Sequence, residues 1–175
     1  MSLTFVRIVP ADAVAIAAWL ASDRWPYHVN TEQTPESARA VVDKGYFWDE
    51  VESFWIVDDD ERVGVLRLFD LEDPTPMFDL RFQTRHRGRG LGPQALAWMA
   101  DYLFEGRSTV RRIEGHTRCD NKAMRRVFEK SGWVKEGHHR RAWPDKEGTW
   151  RDSTAYAILR DDWETGTVTP VDWDG

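Results

Sequence analysis

A glycine-rich segment, Arg87-Gly88-Arg89-Gly90-Leu91-Gly92, follows a predicted strand and begins a predicted amphipathic helix. Glycines let backbone N–H groups approach an anion, and a helix N-terminus adds partial positive charge. A Rossmann fingerprint would have its third glycine one position later, and a P-loop would have Lys followed by Ser or Thr. Four arginines surround the segment, and no acid lies between Arg81 and Gly92: the arginines are Arg81, Arg85, Arg87 and Arg89. We predict a pyrophosphate-binding site, with a simple connecting turn as the alternative.

The charge of the chain is unevenly distributed. The formal net charge of −6 argues against non-specific nucleic-acid binding. Residues 81–141 nevertheless contain 15 Lys and Arg against 6 Asp and Glu, whereas the remainder contains 9 against 24. A basic middle in an acidic chain suits a small polyanion bound at one place, although a solvated basic face would give the same count.

Length and composition predict one compact domain, because 175 residues with 41% hydrophobic side chains can bury most of the surface that the unfolded chain exposes. The single cysteine, Cys119, cannot form an internal disulfide or a thiolate metal cluster. The five histidines lack the paired spacing of a zinc site, so we expect no metal. The chain shows neither a leader pattern nor a long apolar stretch, which predicts a cytoplasmic protein that binds no membrane.

Apolar periodicity predicts the elements that position the glycine-rich segment. The strands are predicted at residues 3–9, 54–57, 63–69, 77–83, 112–117, 134–143 and 151–159. The helices are predicted at residues 11–21, 34–45, 91–104 and 121–131, the second with Thr34 as its cap and Gly45 at its end. The order β-α-α-β-β-β-α-β-α-β-β predicts a mixed α/β sheet with helices packed on it.

At this point the sequence resembles the GNAT acetyltransferases. Their pyrophosphate motif is Gln or Arg, two residues, Gly, one residue, then Gly or Ala, which Arg87, Gly90 and Gly92 match. A second family signature is an asparagine that opens the next helix, an apolar or aromatic residue seven positions later, then Gly and an aromatic residue. Four residues match it: Asn121, Phe128, Gly132 and Trp133. The element order also fits, so the resemblance covers nearly the whole chain.

The resemblance implies a GNAT-like α/β fold: a mixed, largely antiparallel central sheet of about seven strands, flanked by about four helices and splayed between the fourth and fifth strands. It implies a single N-acetyltransferase domain over residues 1–175, with a donor-binding core at about 77–133 and a C-terminal extension at about 161–175. The last strands, from Glu136 to Trp163, are similar to the branch that contains the ribosomal-protein N-terminal acetyltransferases.

The resemblance also implies where acetyl-CoA, the expected co-substrate, binds. Backbone N–H groups near Phe82 to Thr84 face the thioester carbonyl and the pantetheine arm, and Asn121 hydrogen-bonds the pantetheine. Alternatively, Asn121 caps its helix, although Asp120 could serve as the cap in its place. The implied donor-binding residues are Phe82, Gln83, Thr84, Arg87, Gly88, Arg89, Gly90, Leu91, Gly92, Asn121 and Phe128.

The acid and the base are the least determined parts of the implied mechanism. Many relatives protonate the leaving thiolate with a tyrosine at the position of Phe128, and the ribosomal branch often has a serine at that of Met124. Tyr156 or water could substitute, although Tyr156 could equally be a core residue.

For the base, Asp79 and Glu114 are candidates, because they lie on the strands that flank the family's active centre. Alternatively, Asp79 pairs with Arg81, and Glu114 pairs with Arg112 or Arg118. His116 is a further candidate for the base.

Aromatic residues are a second unusual feature, with ten tryptophans in the chain. Family analogy places the loop at residues 23–33 over the acceptor site, so Trp25, Tyr27, His28 and Trp55 are candidates to bind a cationic or planar acceptor. A wide core or a dimer surface would also use them.

We therefore expect an N-acetyltransferase that transfers acetyl from acetyl-CoA to a primary amine, either a protein N-terminus or a small molecule, by direct attack in a ternary complex. The enzyme is expected to need no metal or nucleic acid, and a homodimer is possible. Two alternatives stay open: a non-catalytic CoA-binding sensor, and a Trp-rich protein-interaction module.

Overall fold

The computed structural model describes residues 3–145 and 148–174. The strands are β1 (Thr4–Arg7), β2 (Glu52–Asp58), β3 (Glu61–Phe69), β4 (Met77–Phe82), β5 (Arg112–Arg118), β6 (Val134–Pro144) and β7 (Trp150–Leu159). The helices are α1 (Ala13–Ala21), α2 (Pro35–Asp43), α3 (Leu91–Gly106), α4 (Lys122–Lys130) and α5 (Arg160–Thr165). Short 3-10 turns lie at Pro10–Asp12 and Thr84–His86.

The predicted order of elements is confirmed from β1 to β7, and the bounds differ by a few residues. The first predicted helix begins as the 3-10 turn Pro10–Asp12 and becomes α-helical at Ala13. Thr34 caps α2 as predicted, because its side chain accepts a hydrogen bond from the Ser37 N–H at 3.2 Å. The sequence pattern did not predict α5, which adds a fifth helix to the four expected.

The strands form a seven-stranded, mixed sheet in the order β1-β2-β3-β4-β5-β7-β6. The pairs β1–β2, β2–β3, β5–β7 and β6–β7 are antiparallel. The β4–β5 pair is parallel, and within the described residues its register consists of Met77 opposite Glu114. This short pairing confirms the predicted largely antiparallel sheet that opens between its fourth and fifth strands.

Backbone contacts divide the chain into two compact units, the first ending at Leu71 and resuming over Phe78–Leu91. Its core consists of large aromatic and aliphatic side chains from α1, α2 and the strands. Ile16, Trp19, Leu20, Trp25 and Trp55 are at most 8% exposed. The β4 residues Phe78–Phe82 belong to this unit, and the Arg81 guanidinium lies 5.7 Å from the ring centroid of the core residue Trp25.

The second unit contains Glu72–Met77 and the chain from Gly92 onward. Phe128 of α4 is fully buried and stacks on Tyr156 of β7, with ring centroids 4.7 Å apart. The short helix α5 is held by tertiary contacts, because Trp163 packs on Phe104 and the buried Asp162 carboxylate accepts hydrogen bonds from Thr169. The first residues of the predicted C-terminal extension are therefore packed against the rest of this unit.

Gly64 lets β3 approach β4 next to the residues that lead into the glycine-rich segment. A Cβ at Gly64 would lie 2.6 Å from the Arg81 carbonyl oxygen and 2.7 Å from the Phe82 ring. The clash involves backbone, so it cannot be relieved by rotating one flexible side chain.

We predict that Gly64→Ala lowers the free energy of unfolding by about 2 kcal/mol and Tm by roughly 4–8 °C, because the added methyl group overpacks this contact. Gly106→Ala is the matched control, since a Cβ at the end of α3 has no described atom within 4 Å and alanine favours the helix. Thermal unfolding followed by circular dichroism measures both. Equal Tm values for the two variants would contradict the close approach at Gly64.

Candidate active site

The glycine-rich segment has a backbone conformation that suits an anion. Gly88 and Gly90 adopt φ angles of +76° and +77°, which residues with a Cβ rarely adopt. No described atom lies within 4 Å of a Cβ placed at either glycine, so the space beside them is open. Gly92 has a different role, because its Cβ would lie 2.9 Å from Val127 Cγ2. This glycine lets α3 pack closely on α4.

The arginine side chains near this segment are held within the first unit. Arg85 Nη2 lies 2.6 Å from Glu61 Oε1, and Arg89 Nη2 lies 3.0 Å from Asp58 Oδ2. Arg87 donates to two backbone carbonyl oxygens at 2.9 and 3.0 Å. The neighbouring sequence contains no acid, but β2 and β3 supply carboxylates from a distance along the chain. The predicted pyrophosphate contacts therefore depend more on backbone N–H groups than on unpaired guanidinium groups.

The end of β4, predicted to face the donor, is tied to the loop after α1. The Thr84 N–H and hydroxyl donate to the Asp23 carboxylate at 2.5 and 2.8 Å. Burial opposes ionisation of Asp23, but the backbone N–H donors of Thr84 and Arg24 outweigh it and hold the pKa of this carboxyl below its ordinary value. The Gln83 N–H donates to the Val63 carbonyl oxygen. The donor role of Phe82 to Thr84 stays a prediction.

Asp79, a candidate base, lies in a buried ionic cluster of the first unit. Its Oδ2 accepts two hydrogen bonds from Arg81 at 2.8 and 3.0 Å, and its Oδ1 lies 2.8 Å from His28 Nε2. The Tyr46 hydroxyl reaches Oδ2 at 3.5 Å. Burial works against the charge, but Arg81 and His28 outweigh it and hold the pKa of Asp79 far below its ordinary value. A carboxylate that resists protonation this strongly is poorly suited to act as a base.

The aromatic candidates for the acceptor site differ in their exposure. Trp25 and Trp55 are each 1% exposed and belong to the core of the first unit. The Trp25 indole stacks on Trp19 at 4.8 Å and its N–H donates to the Leu20 carbonyl oxygen. Tyr27 is partly exposed. Their assignment to the acceptor stays a prediction, which the buried indoles fit less well because their faces are already covered.

Glu114, the other candidate base, lies in a chain of charged side chains on β5 and β6. Its Oε2 lies 2.7 Å from Arg112 Nη1, and its Oε1 lies 2.5 Å from His116 Nε2. Arg112 also pairs with Glu136, and the His116 ring stacks on His139 with centroids 5.7 Å apart. Burial opposes ionisation, but the hydrogen bonds from His116 and Arg112 hold the pKa of Glu114 below its ordinary value. Of the predicted arginine partners, the structure shows Arg112.

Asn121 has the geometry of a helix cap. Its Oδ1 accepts a hydrogen bond from the Met124 N–H at 3.2 Å, and its Nδ2 donates to Thr117 Oγ1 at 2.9 Å. These two bonds fix the side chain at the start of α4. A contact with pantetheine stays a prediction.

Tyr156, the candidate acid, is 1% exposed. Its hydroxyl donates to Glu129 Oε1 at 3.2 Å and accepts a long hydrogen bond, 3.5 Å, from Arg125 Nε. With its ring stacked on Phe128, it has the contacts of a core residue. Its catalytic role stays a prediction.

Sequence reasoning did not single out several side chains that complete these clusters, among them Asp23, Glu136 and His139. Each lies in a loop or on a strand, and its partner lies at least 23 positions away along the chain. Strand alternation could have placed Glu136 on a strand face, but not opposite Arg112. Within residues 3–145 and 148–174, no group of three or more His, Cys, Asp or Glu could hold a metal ion, and no helix is long and apolar enough to cross a membrane.

Sequence comparison connects these features with known proteins. Residues 2–134 match the family described as Acetyltransferase (GNAT) domain. The probable N-acetyltransferase YjcK of Bacillus subtilis (strain 168) is 31% identical over 107 residues, which are 59% of this chain and 58% of that protein. The match therefore spans less than two thirds of this relative.

Several solved structures share the fold. A chimaera of the spermidine N-acetyltransferase SpeG from Vibrio cholerae and hSSAT superposes with a TM-score of 0.76 at 18% identity, covering 94% of this chain and 99% of that chain. The dodecameric spermidine N-acetyltransferase from Vibrio cholerae gives a TM-score of 0.73 at 19% identity, over 93% and 96% of the two chains. At such identities the likeness shows the fold alone, and it confirms the predicted architecture. Because the family match covers most of the chain, this protein belongs to the GNAT acetyltransferase family.

Proposed function

We propose that this protein is an N-acetyltransferase that moves acetyl from acetyl-CoA to a primary amine by direct attack in a ternary complex. The observation that carries the proposal is the glycine-rich segment: two glycines with positive φ and open space directly precede α3, in a chain that belongs to the GNAT family. Backbone N–H groups in such a segment and a helix N-terminus suit a pyrophosphate.

The chemistry needs a neutral amine and a tolerable leaving group. The amine lone pair attacks the thioester carbonyl, an N–C bond forms, the C–S bond breaks and the CoA thiolate leaves. Since an ordinary thiol has a pKa of ~8.5, the thiolate leaves without much help from an acid. Met124 and Phe128 therefore do not prevent transfer, although relatives have hydroxyls at these positions.

The acceptor that we propose is a cationic amine. Outside residues 81–141, Asp and Glu outnumber Lys and Arg by 24 to 9, which favours a basic acceptor. Spermidine is one candidate, because the Vibrio cholerae proteins of the same fold are spermidine N-acetyltransferases. A protein N-terminus is another, because the sequence of the last strands resembles that of the ribosomal-protein branch. A homodimer and a cytoplasmic location stay predictions, and the dodecamer belongs to the Vibrio protein.

We predict that the protein binds acetyl-CoA with micromolar Kd and that Gly90→Trp weakens binding at least about 30-fold. The indole fills the open space, and losing even one hydrogen bond to the charged pyrophosphate removes about 2 kcal/mol. Gly166→Trp is the matched control, because Gly166 also has positive φ, +70°, and open space beside it but lies after α5. Isothermal titration calorimetry measures all three proteins. Equal weakening in both variants, or no binding to the folded wild type, would contradict the donor site.

We further predict release of CoA thiol when the wild type is incubated with acetyl-CoA and a cationic primary amine. Three acceptors represent the candidate classes: spermidine, a peptide with a free amino terminus, and an aminoglycoside. Thiol release above the rate without amine, with the acetylated product confirmed by mass spectrometry, identifies the class. Saturable acetyl-CoA binding without thiol release for any amine would instead support the CoA-binding sensor.

A further inference from the structure

We infer that His116 accepts the proton of the acceptor ammonium and that Glu114 is a positioning residue that orients the imidazole; this inference rests on the proposed function. His116 Nε2 lies 2.5 Å from Glu114 Oε1. A carboxylate can only accept a hydrogen bond, so Nε2 carries the hydrogen and Nδ1 keeps its lone pair. The His116 side chain is 29% exposed, which leaves the ring within reach of solvent.

The two carboxylates of the candidate site are poor bases for the same reason. Asp79 is held by Arg81 and His28, and Glu114 by Arg112 and His116. Each carboxylate is stabilised in its charged form, so it has little tendency to take a proton. Each cluster also contains one imidazole, His28 or His116, and a neutral imidazole has one ring nitrogen with a lone pair that can accept a proton.

Net charge distinguishes the two imidazoles. With His28 neutral, its cluster of Asp79 and Arg81 has no net charge, and its Nδ1 is buried without a hydrogen-bond partner among the described residues. With His116 neutral, Glu114, Arg112 and Glu136 together carry −1, and protonation of the ring makes the group neutral. A proton on His116 is therefore balanced by the carboxylates around it, which suits a ring that takes a proton from the acceptor.

The position of His116 also suits proton exchange. It lies two residues beyond Glu114, at which the described register of β4 with β5 ends. Its ring stacks on His139 at an interplanar angle of 9°, and His139 lines an open cavity of about 780 Å³ with Arg140, Arg141 and Asp152. A Cβ at Gly137 would lie 2.9 Å from His139 Nε2, so this glycine makes room for the stacked ring.

The proton balance is complete with the two substrates and solvent. His116 Nδ1 takes one proton from the ammonium, and the neutral amine attacks the thioester carbonyl. The N–C bond forms and the C–S bond breaks. The second amine proton passes to the leaving thiolate, directly or through water, to give the free thiol, and His116 returns its proton to solvent.

The test is the pH dependence of thiol release for four proteins: the wild type, His116→Gln, Glu114→Gln and His138→Gln. Near pH 7, His116→Gln is expected to lower kcat about 100-fold, and the deficit is expected to shrink toward pH 10, where free amine becomes available without a base. Glu114→Gln should lower kcat less and move the acidic limb of the kcat–pH profile to lower pH, because an amide no longer stabilises the protonated ring.

His138→Gln is the control, since His138 also contacts a carboxylate, Asp152, at 2.7 Å. This variant should retain wild-type kcat and pH dependence.

Among the described contacts, the His116 ring meets Glu114 of β5 and His139 of β6. Arg112 and Glu136 are linked to it through Glu114, and the pH profile is interpreted with all four groups in mind. Acetyl-CoA titration should give the same Kd for all four proteins. A His116→Gln profile parallel to that of the wild type, or loss of donor binding in this variant, would overturn the assignment.

Nitrogen NMR of the histidine rings tests the geometry without turnover. His116 is expected as the Nε2–H tautomer at pH 7.5, and Glu114→Gln is expected to yield a mixture of tautomers. A wild-type ring with its proton on Nδ1 would overturn the inference. A failure of the proposed function would be observed separately. In that case the wild-type protein would release no thiol with spermidine, the peptide or the aminoglycoside.

Discussion

On both β4 and β5, a carboxylate is neutralised by an arginine two positions away on the same face of the strand. Arg81 and Asp79 are only 11% and 18% exposed, so removing either partner would leave an uncompensated buried charge, which costs about 3–5 kcal/mol. Each carboxylate also holds a histidine. The surrounding charge differs, however, because Glu136 contributes a further negative charge beside Arg112. The same strand pattern therefore places His28 in a cluster without net charge and His116 in a cluster with one excess negative charge.

Local sequence patterns were sufficient for most of the elements. Alternation of apolar residues identified the strands, and Thr34, Pro35 and the glycines identified helix ends, because these signals act through the backbone of a few residues. The helix α5 was missed for the opposite reason. Arg160–Thr165 is short and mostly polar, and it depends on Trp163 against Phe104 and on Asp162 bonded to Thr169. Such contacts join residues that no periodicity connects.

The candidate site likewise has features that the sequence could predict and features that it could not. The positive φ of Gly88 and Gly90 follows from residue type, so the sequence could predict an anion-binding backbone. The partners of the arginines could not be predicted, because Asp58 and Glu61 are brought to them by the hairpin of β2 and β3. Composition was also ambiguous for tryptophan. An indole can bind a cation or fill a core with equal ease, and burial of Trp25 and Trp55 depends on packing of the whole first unit.

The proton chemistry of amine acetylation explains why a base matters more here than an acid. A primary amine with a pKa of ~10.4 is neutral in roughly one molecule in 2,500 at pH 7, which corresponds to roughly 4–5 kcal/mol, whereas a thiolate with a pKa of ~8.5 lies only about 2 kcal/mol above its thiol. The larger barrier is at the amine. This chain has no hydroxyl at Met124 or Phe128, where an acid would serve the thiolate. The chain does have an imidazole oriented by a carboxylate, with a second carboxylate held through Arg112, and the proposed role of His116 would supply help at the amine, where the barrier is larger.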